Sequence, residues 1–93
     1  MCRNIHMLYN LQPPTSDEEV RAAAVQYVRK ISGFSKPSQA NEAAFARAVD
    51  AVTDVSQRLL AELVTTAPPR DRELLAERAR TRAAARYPSS ASG

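Results

Sequence analysis

The only cysteine and the only histidine of this chain lie within its first six residues, in the stretch MCRNIH. Removal of the initiator methionine would give Cys2 a free amine beside its thiol. That ammonium and Arg3 favour the thiolate. Amine, thiolate and the His6 imidazole can then supply three ligands to zinc or another transition metal. A cysteine with its own amine as base can also act as a nucleophile. The pair therefore allows a metal site or a reactive-thiol site.

The same two residues also allow a structural interpretation, in which they pack within an N-terminal arm. The sequence holds no second cysteine or histidine to complete a closed zinc site. It also shows no motif for a catalytic base or an oxyanion hole. Free cysteine is commonly buried as a small apolar residue. We favour this interpretation, so we expect no catalytic residues and no cofactor, with a transition metal at Cys2 and His6 as the alternative.

A second candidate site is the basic stretch RKISGFSKPS, which leads into a predicted helix. The amides and dipole at a helix N-terminus favour an anion, and Phe34 can stack on a base. The spacing of a P-loop is absent. The candidate anion-binding residues are Arg29, Lys30, Lys36 and Ser38. In the alternative interpretation the stretch is an ordinary connection, in which Gly33 ends a helix, Phe34 packs on the core and the cations answer the helix dipole.

A third candidate is a basic ridge near the C-terminus. Arg78, Arg82 and Arg86 follow one another at intervals of four residues, so a helix would place them in one row. Such a row can track phosphates with a salt-sensitive affinity. Alternatively, it is the solvated face of an alanine-rich helix, partly paired with Glu73 and Glu77.

Composition limits the class of protein more than its activity. The chain has 93 residues, a formal charge of +3 and a pI near 9.5, which permits anionic partners without requiring them. A single cysteine excludes an internal disulfide framework. Neither a signal peptide nor an apolar run long enough to span a membrane is present, so we expect a cytoplasmic protein without a membrane partner. The core must be thin, which favours a protein partner or a homo-oligomer.

The first predicted helix has clear end signals. TSDEEV supplies Thr15 or Ser16 as N-cap with a glutamate three residues on, and Gly33 can end the helix in the left-handed conformation. One apolar face is formed by Val20, Ala23, Ala24, Tyr27, Val28 and Ile31.

Two further helices are predicted, separated by the proline-containing stretch TTAPPRDRE. The second runs from Pro37 or Ser38 to about Thr65, and its apolar stripe consists of Phe45, Ala48, Val49, Val52, Leu59, Leu60 and Leu63. The third runs from about Pro69 to Arg86, with Pro68 and Pro69 at its start. Its stripe is weak, with only Leu74 and Leu75 as large members. Residues 1–14 read as an extended arm with no obvious partner strand.

Three stretches resemble a known family: MCRNI, VRKISGFSKPSQANEAAF and LVTTAPPRDRE. They are similar to domain-of-unknown-function family 2277, a small bacterial family, over residues 1 to about 86. The resemblance implies a compact bacterial protein with no assigned activity and carries no catalytic residues. It marks Cys2, Arg3, Asn4 and the Gly33–Ser38 loop as parts of the family pattern.

We therefore expect an all-α fold, a small three-helix domain with an extended N-terminal arm and a long central helix. Its expected parts are an arm at 1–14, a helical domain at 15–86 and a disordered tail at 87–93. We expect a non-enzymatic binding module for an anionic partner, either nucleic acid or a phosphorylated ligand. The competing hypotheses are a metal- or thiol-dependent protein that uses Cys2 and His6, and a structural subunit that needs another chain to cover its apolar stripe.

Overall fold

A computed structural model describes residues 5–86, with the side chain of Arg86 excepted, and the predicted tail at 87–93 lies outside this range. The fold is mainly α. In chain order the elements are β1 (Leu11–Gln12), α1 (Asp17–Ser32), a 3₁₀ turn (Gln39–Asn41), α2 (Glu42–Glu62), β2 (Arg70–Asp71) and α3 (Arg72–Arg86). Within residues 5–86, the helices all lack the length and apolar character needed to cross a membrane.

The chain divides into two compact units. The α1–α2 unit comprises residues 5–9 and 15–66 of the described range, and the α3 unit comprises residues 10–14 and 67–86. Different local interactions stabilise the two units.

The predicted ends of α1 are confirmed. The Ser16 hydroxyl accepts a hydrogen bond from the Glu19 amide at 3.2 Å, and the Glu19 carboxylate accepts one from the Ser16 amide at 2.9 Å, which completes a capping box. At the other end Gly33 has a φ of 78° and donates its amide to the Arg29 carbonyl at 2.9 Å. Both termini of α1 are thus satisfied by residues that the sequence indicates.

The core of the α1–α2 unit is small. Ala24 and Val28 of α1 pack with Val49 of α2, and the half-buried side chains around them are Val25, Phe45, Ala48 and Val52. Beside this core Arg21 of α1 forms an ion pair with Asp50 of α2 at 2.9 Å. None of the described side chains of any size is completely buried, so only modest apolar burial holds the two helices together.

The second helix is shorter than predicted at both ends. A 3₁₀ turn precedes it, and Leu63 is already extended, with a ψ of 143°. The β-branched Thr65 and Thr66 and the two prolines that follow disfavour the helical conformation there.

The N-terminal arm has a partner strand that was not obvious from the sequence. Leu11 and Gln12 pair in parallel with Arg70 and Asp71. Asn10 precedes this pairing in the left-handed region, with a φ of 58°, and its side-chain amide donates to the carbonyls of Ala67 and Pro68 at 3.2 Å. A two-residue pairing is too short to produce an alternating pattern in the sequence.

The third helix begins at Arg72, later than predicted. The Asp71 carboxylate accepts a hydrogen bond from the Leu74 amide at 3.0 Å, so Asp71 caps the helix. Pro68 and Pro69 lie before β2 and not in the first turn of the helix.

Candidate functional site

Cys2 lies outside the described residues, so the cysteine half of the predicted metal or thiol site has no structural description. His6 is exposed, and its Nδ1 lies 2.9 Å from the Met7 carbonyl oxygen. Because a carbonyl oxygen only accepts, a hydrogen bond at this distance is donated by Nδ1. Within residues 5–86, no three acidic, cysteine or histidine side chains are grouped so as to hold a metal ion. The metal and thiol hypothesis therefore stays a prediction.

The basic loop runs from the end of α1 to the start of the 3₁₀ turn, and local hydrogen bonds shape both of its ends. Gly33 turns the chain out of α1, and the Phe34 amide donates to the Ser32 hydroxyl at 3.2 Å. At the far end Ser38 accepts two bonds from Asn41, one at its carbonyl and one at its hydroxyl, both at 2.9 Å. The Ser38 hydroxyl still has its own proton to donate. This loop is the candidate functional site.

Three cations of this loop region are exposed. Arg29 and Lys30 occupy the last turn of α1, and Lys36 lies in the loop itself. None of the three forms an ion pair with another residue of the described range. By contrast, Arg21 is paired with Asp50, and Arg58 is paired with Asp54 at 3.0 Å.

The sequence around the loop contains no acidic residue between Glu19 and Glu42. The local positive charge of the three cations is therefore not offset by their chain neighbours. An uncompensated group of cations attracts an anion and resists a cationic partner.

The start of the 3₁₀ turn adds directed donors. Neither Ser38 nor Asn41 caps the following helix with its side chain. The amides of Gln39 and Ala40 have no acceptor within the described range. Free amides at a helix start, with the positive end of the helix dipole, suit a phosphate oxygen.

The structure corrects the predicted packing of three apolar side chains in this region. Tyr27 and Ile31 were expected on the buried face of α1, and Phe34 on the core in one of the two interpretations of the loop. Tyr27 is 47% exposed, Ile31 is 67% exposed and Phe34 is 42% exposed. The helical period identifies the face of α1, but it does not tell how far along that face α2 covers it.

The predicted arginine ridge lies on α3, in the other unit. Arg78 and Arg82 are exposed, and within the described residues neither is ion-paired, so the partial pairing with Glu73 and Glu77 in the alternative interpretation is absent there. Arg86 ends the helix. The two sets of predicted anion-binding residues belong to different units.

Comparison with known proteins covers the basic loop and the arginine ridge unequally. No curated protein and no solved structure matches the chain. The family described as "Uncharacterized conserved protein (DUF2277)" matches residues 1–78. That range includes the whole basic loop and ends at Arg78, so Arg82 and Arg86 lie beyond it. The match covers most of the sequence, and the chain belongs to this family of uncharacterized conserved proteins.

Proposed function

We propose that this protein is a non-enzymatic binding module for a phosphate-bearing partner, and that the partner binds at the basic loop. The observation that carries the proposal is that Arg29, Lys30 and Lys36 are exposed without an ion-pair partner in the described range. Cations that the fold does not use for its own ion pairs are available to a ligand.

The loop offers two kinds of interaction with a phosphate. The three side chains supply charge, which acts over several ångströms and steers the partner toward the loop. The Gln39 and Ala40 amides and the Ser38 hydroxyl supply donors of fixed direction, which orient a phosphate oxygen. Neither a nucleophile nor a general base is needed for such binding, so the proposal assigns no catalytic residue.

We favour the loop over the arginine ridge of α3 for two reasons. The loop lies entirely within the family match, whereas two of the three ridge arginines lie beyond it. The loop also joins two helices that pack against each other, whereas nearly all of α3 is exposed. A binding site on a packed scaffold loses less conformational entropy when the ligand binds.

The test compares two triple variants that remove equal charge. In the first, Arg29, Lys30 and Lys36 are replaced by Ala, and in the second, Arg78, Arg82 and Arg86 are replaced by Ala. Affinity for fluorescently labelled inorganic polyphosphate is measured as a function of salt. We expect the loop variant to bind more weakly and with a shallower salt dependence, because fewer counterions are released. The ridge variant should lose less. Equal binding by wild type and both variants would refute the proposal.

The structural-subunit hypothesis also has an observation in its favour. The C-terminal part of α2 and the residues after it expose four apolar side chains, namely Val55, Leu59, Leu63 and Val64. Exposed apolar surface of this kind often marks a protein interface. Light scattering over a range of protein concentrations tests this second function. Self-association that Leu59→Gln abolishes would support it, and a monomer at every concentration would argue against a homo-oligomer.

A further inference from the structure

We infer that the partner of the basic loop is single-stranded nucleic acid, whose bases stack on the rings of Tyr27 and Phe34. The inference rests on the proposed function and names the partner class for the same site. Its basis is the combination of exposed rings with uncompensated cations in one acid-free segment.

Two of the four aromatic residues within the described range are concentrated here, and both are exposed. Tyr27 and Phe34 keep nearly half of their surface in solvent, whereas Phe45 packs against the core of the helix pair. Neither exposed ring contacts another ring of the described residues. Aromatic side chains are usually placed where their large surface is buried. Their exposure at a charged site therefore points to a ligand with flat apolar faces.

Each ring has a cation close to it along the chain. Lys30 follows Tyr27 by three residues on α1, so the two side chains lie on neighbouring parts of the helix surface. Lys36 follows Phe34 by two residues in the loop. A nucleic acid presents the same alternation, since each nucleotide joins one base to one phosphate. Stacking and phosphate neutralisation can thus proceed together along a short strand.

The segment between Glu19 and Glu42 contains no acidic residue, and it is much longer than the stretch that holds the three cations. A nucleic-acid strand is negative at every nucleotide, so a carboxylate anywhere along its path would be repelled. An acidic protein partner carries its carboxylates at separate positions, so it would not require the whole segment to lack acidic residues.

The exposed apolar side chains argue for bases over a lipid surface. Of the three large exposed apolar side chains between Glu19 and Glu42, Tyr27 and Phe34 carry planar rings and Ile31 is aliphatic. Stable binding to a bilayer through inserted side chains relies on a larger apolar face. The strand must also be single, because in a duplex the bases stack on each other and their faces are not accessible.

The decisive comparison is between two single strands that differ only in whether they carry bases. Binding of the full chain is measured by fluorescence anisotropy to labelled oligothymidylate of about 12 nucleotides. The comparison probes are an abasic strand of equal length, a duplex of equal length, inorganic polyphosphate and phosphatidylserine vesicles. The variants are Tyr27→Leu with Phe34→Leu, which keeps the apolar surface but removes the rings, and Tyr27→Phe with Phe34→Tyr, which keeps the rings. Circular dichroism and thermal unfolding establish that both variants fold.

We expect the wild type to bind oligothymidylate about tenfold more tightly than the abasic strand, which corresponds to one good stacking interaction. The leucine variant should lose this preference, and the ring-retaining variant should keep it. Equal affinity of the wild type for the abasic strand, or a preference that survives in the leucine variant, would overturn the inference. Tighter binding to the duplex or to phosphatidylserine vesicles would also overturn it. Loss of polyphosphate binding in the loop variant would, in each of these cases, still support the proposed function.

Discussion

The basic loop and the basic helix α3 carry similar charge but are positioned in different ways. The loop connects two helices that share a core of Ala24, Val28 and Val49, and the first of these helices is capped at both ends. Along α3, every residue from Ala76 to Ala85 is exposed, and only Arg72 and Leu75 are half-buried. A binding site needs a scaffold that holds its groups as well as charge, so we expect the loop to bind an anion more tightly than α3 does.

The physical origin of the two regions differs as well. Helix α3 is rich in Ala, Arg, Glu and Leu, which favour the helical conformation without tertiary packing. Such a helix is only marginally stable on its own. The α1–α2 pair adds apolar burial and an interhelical ion pair to its local propensities. We therefore expect the unfolding free energy to depend mainly on the helix pair.

The largest expected effect comes from the core of the helix pair. Val49→Ala removes two buried methyl groups between α1 and α2, and should lower the free energy of unfolding by about 1–3 kcal/mol. Leu75→Ala on α3 removes a larger side chain at a half-buried position and should cost less than about 1 kcal/mol. Urea unfolding of both variants checks the comparison. A greater loss in Leu75→Ala would show that α3 has a more important packing role than its exposure indicates.

The next effect concerns the end of α1, where the loop begins. Gly33 has a positive φ, and a Cβ added there would meet no atom within 4 Å, so the cost of a side chain is conformational strain. Gly33→Val should destabilise the protein by about 1 kcal/mol or more. Gly33→Asn is the matched control, because asparagine tolerates this conformation better. An unchanged thermal midpoint in Gly33→Val would contradict the assigned cap.

The two capped helix N-termini give a further contrast. Ser16→Ala removes the capping box of α1 and should cost about 1 kcal/mol in global stability. Asp71→Ala removes the cap of α3 and should reduce helical circular dichroism at 222 nm with little change in the unfolding midpoint, because α3 is largely exposed. Equal shifts of the midpoint in both variants would mean that the two units unfold together.

The smallest effect is expected at the N-terminus. Cys2→Ser should leave helical circular dichroism and cooperative unfolding nearly unchanged, because α1 is capped at both ends by its own residues and shares a core with α2. Metal analysis of the purified protein accompanies this measurement. Stoichiometric metal whose removal unfolds the chain would show that the Cys2 and His6 site has a structural role.

The sequence alone identified the features that depend on neighbouring residues. The three helices, the capping box at Ser16 and Glu19 and the left-handed cap at Gly33 were all predictable. Each depends on contacts between residues that are at most four positions apart. The three cations of the loop were also recognised, since their chemistry is visible in their residue types.

Only the tertiary structure decided which groups are free and which are used. The position at which α2 covers α1 decides two things. It pairs Arg21 and leaves Arg29 without an ion-pair partner in the described range, and it leaves Tyr27 and Phe34 exposed. The pairing of Leu11 with Arg70 likewise joins residues far apart in the chain, through backbone groups that every residue shares. Exposure and long-range pairing result from packing, and a periodic pattern specifies the face of an element without specifying the extent of its partner.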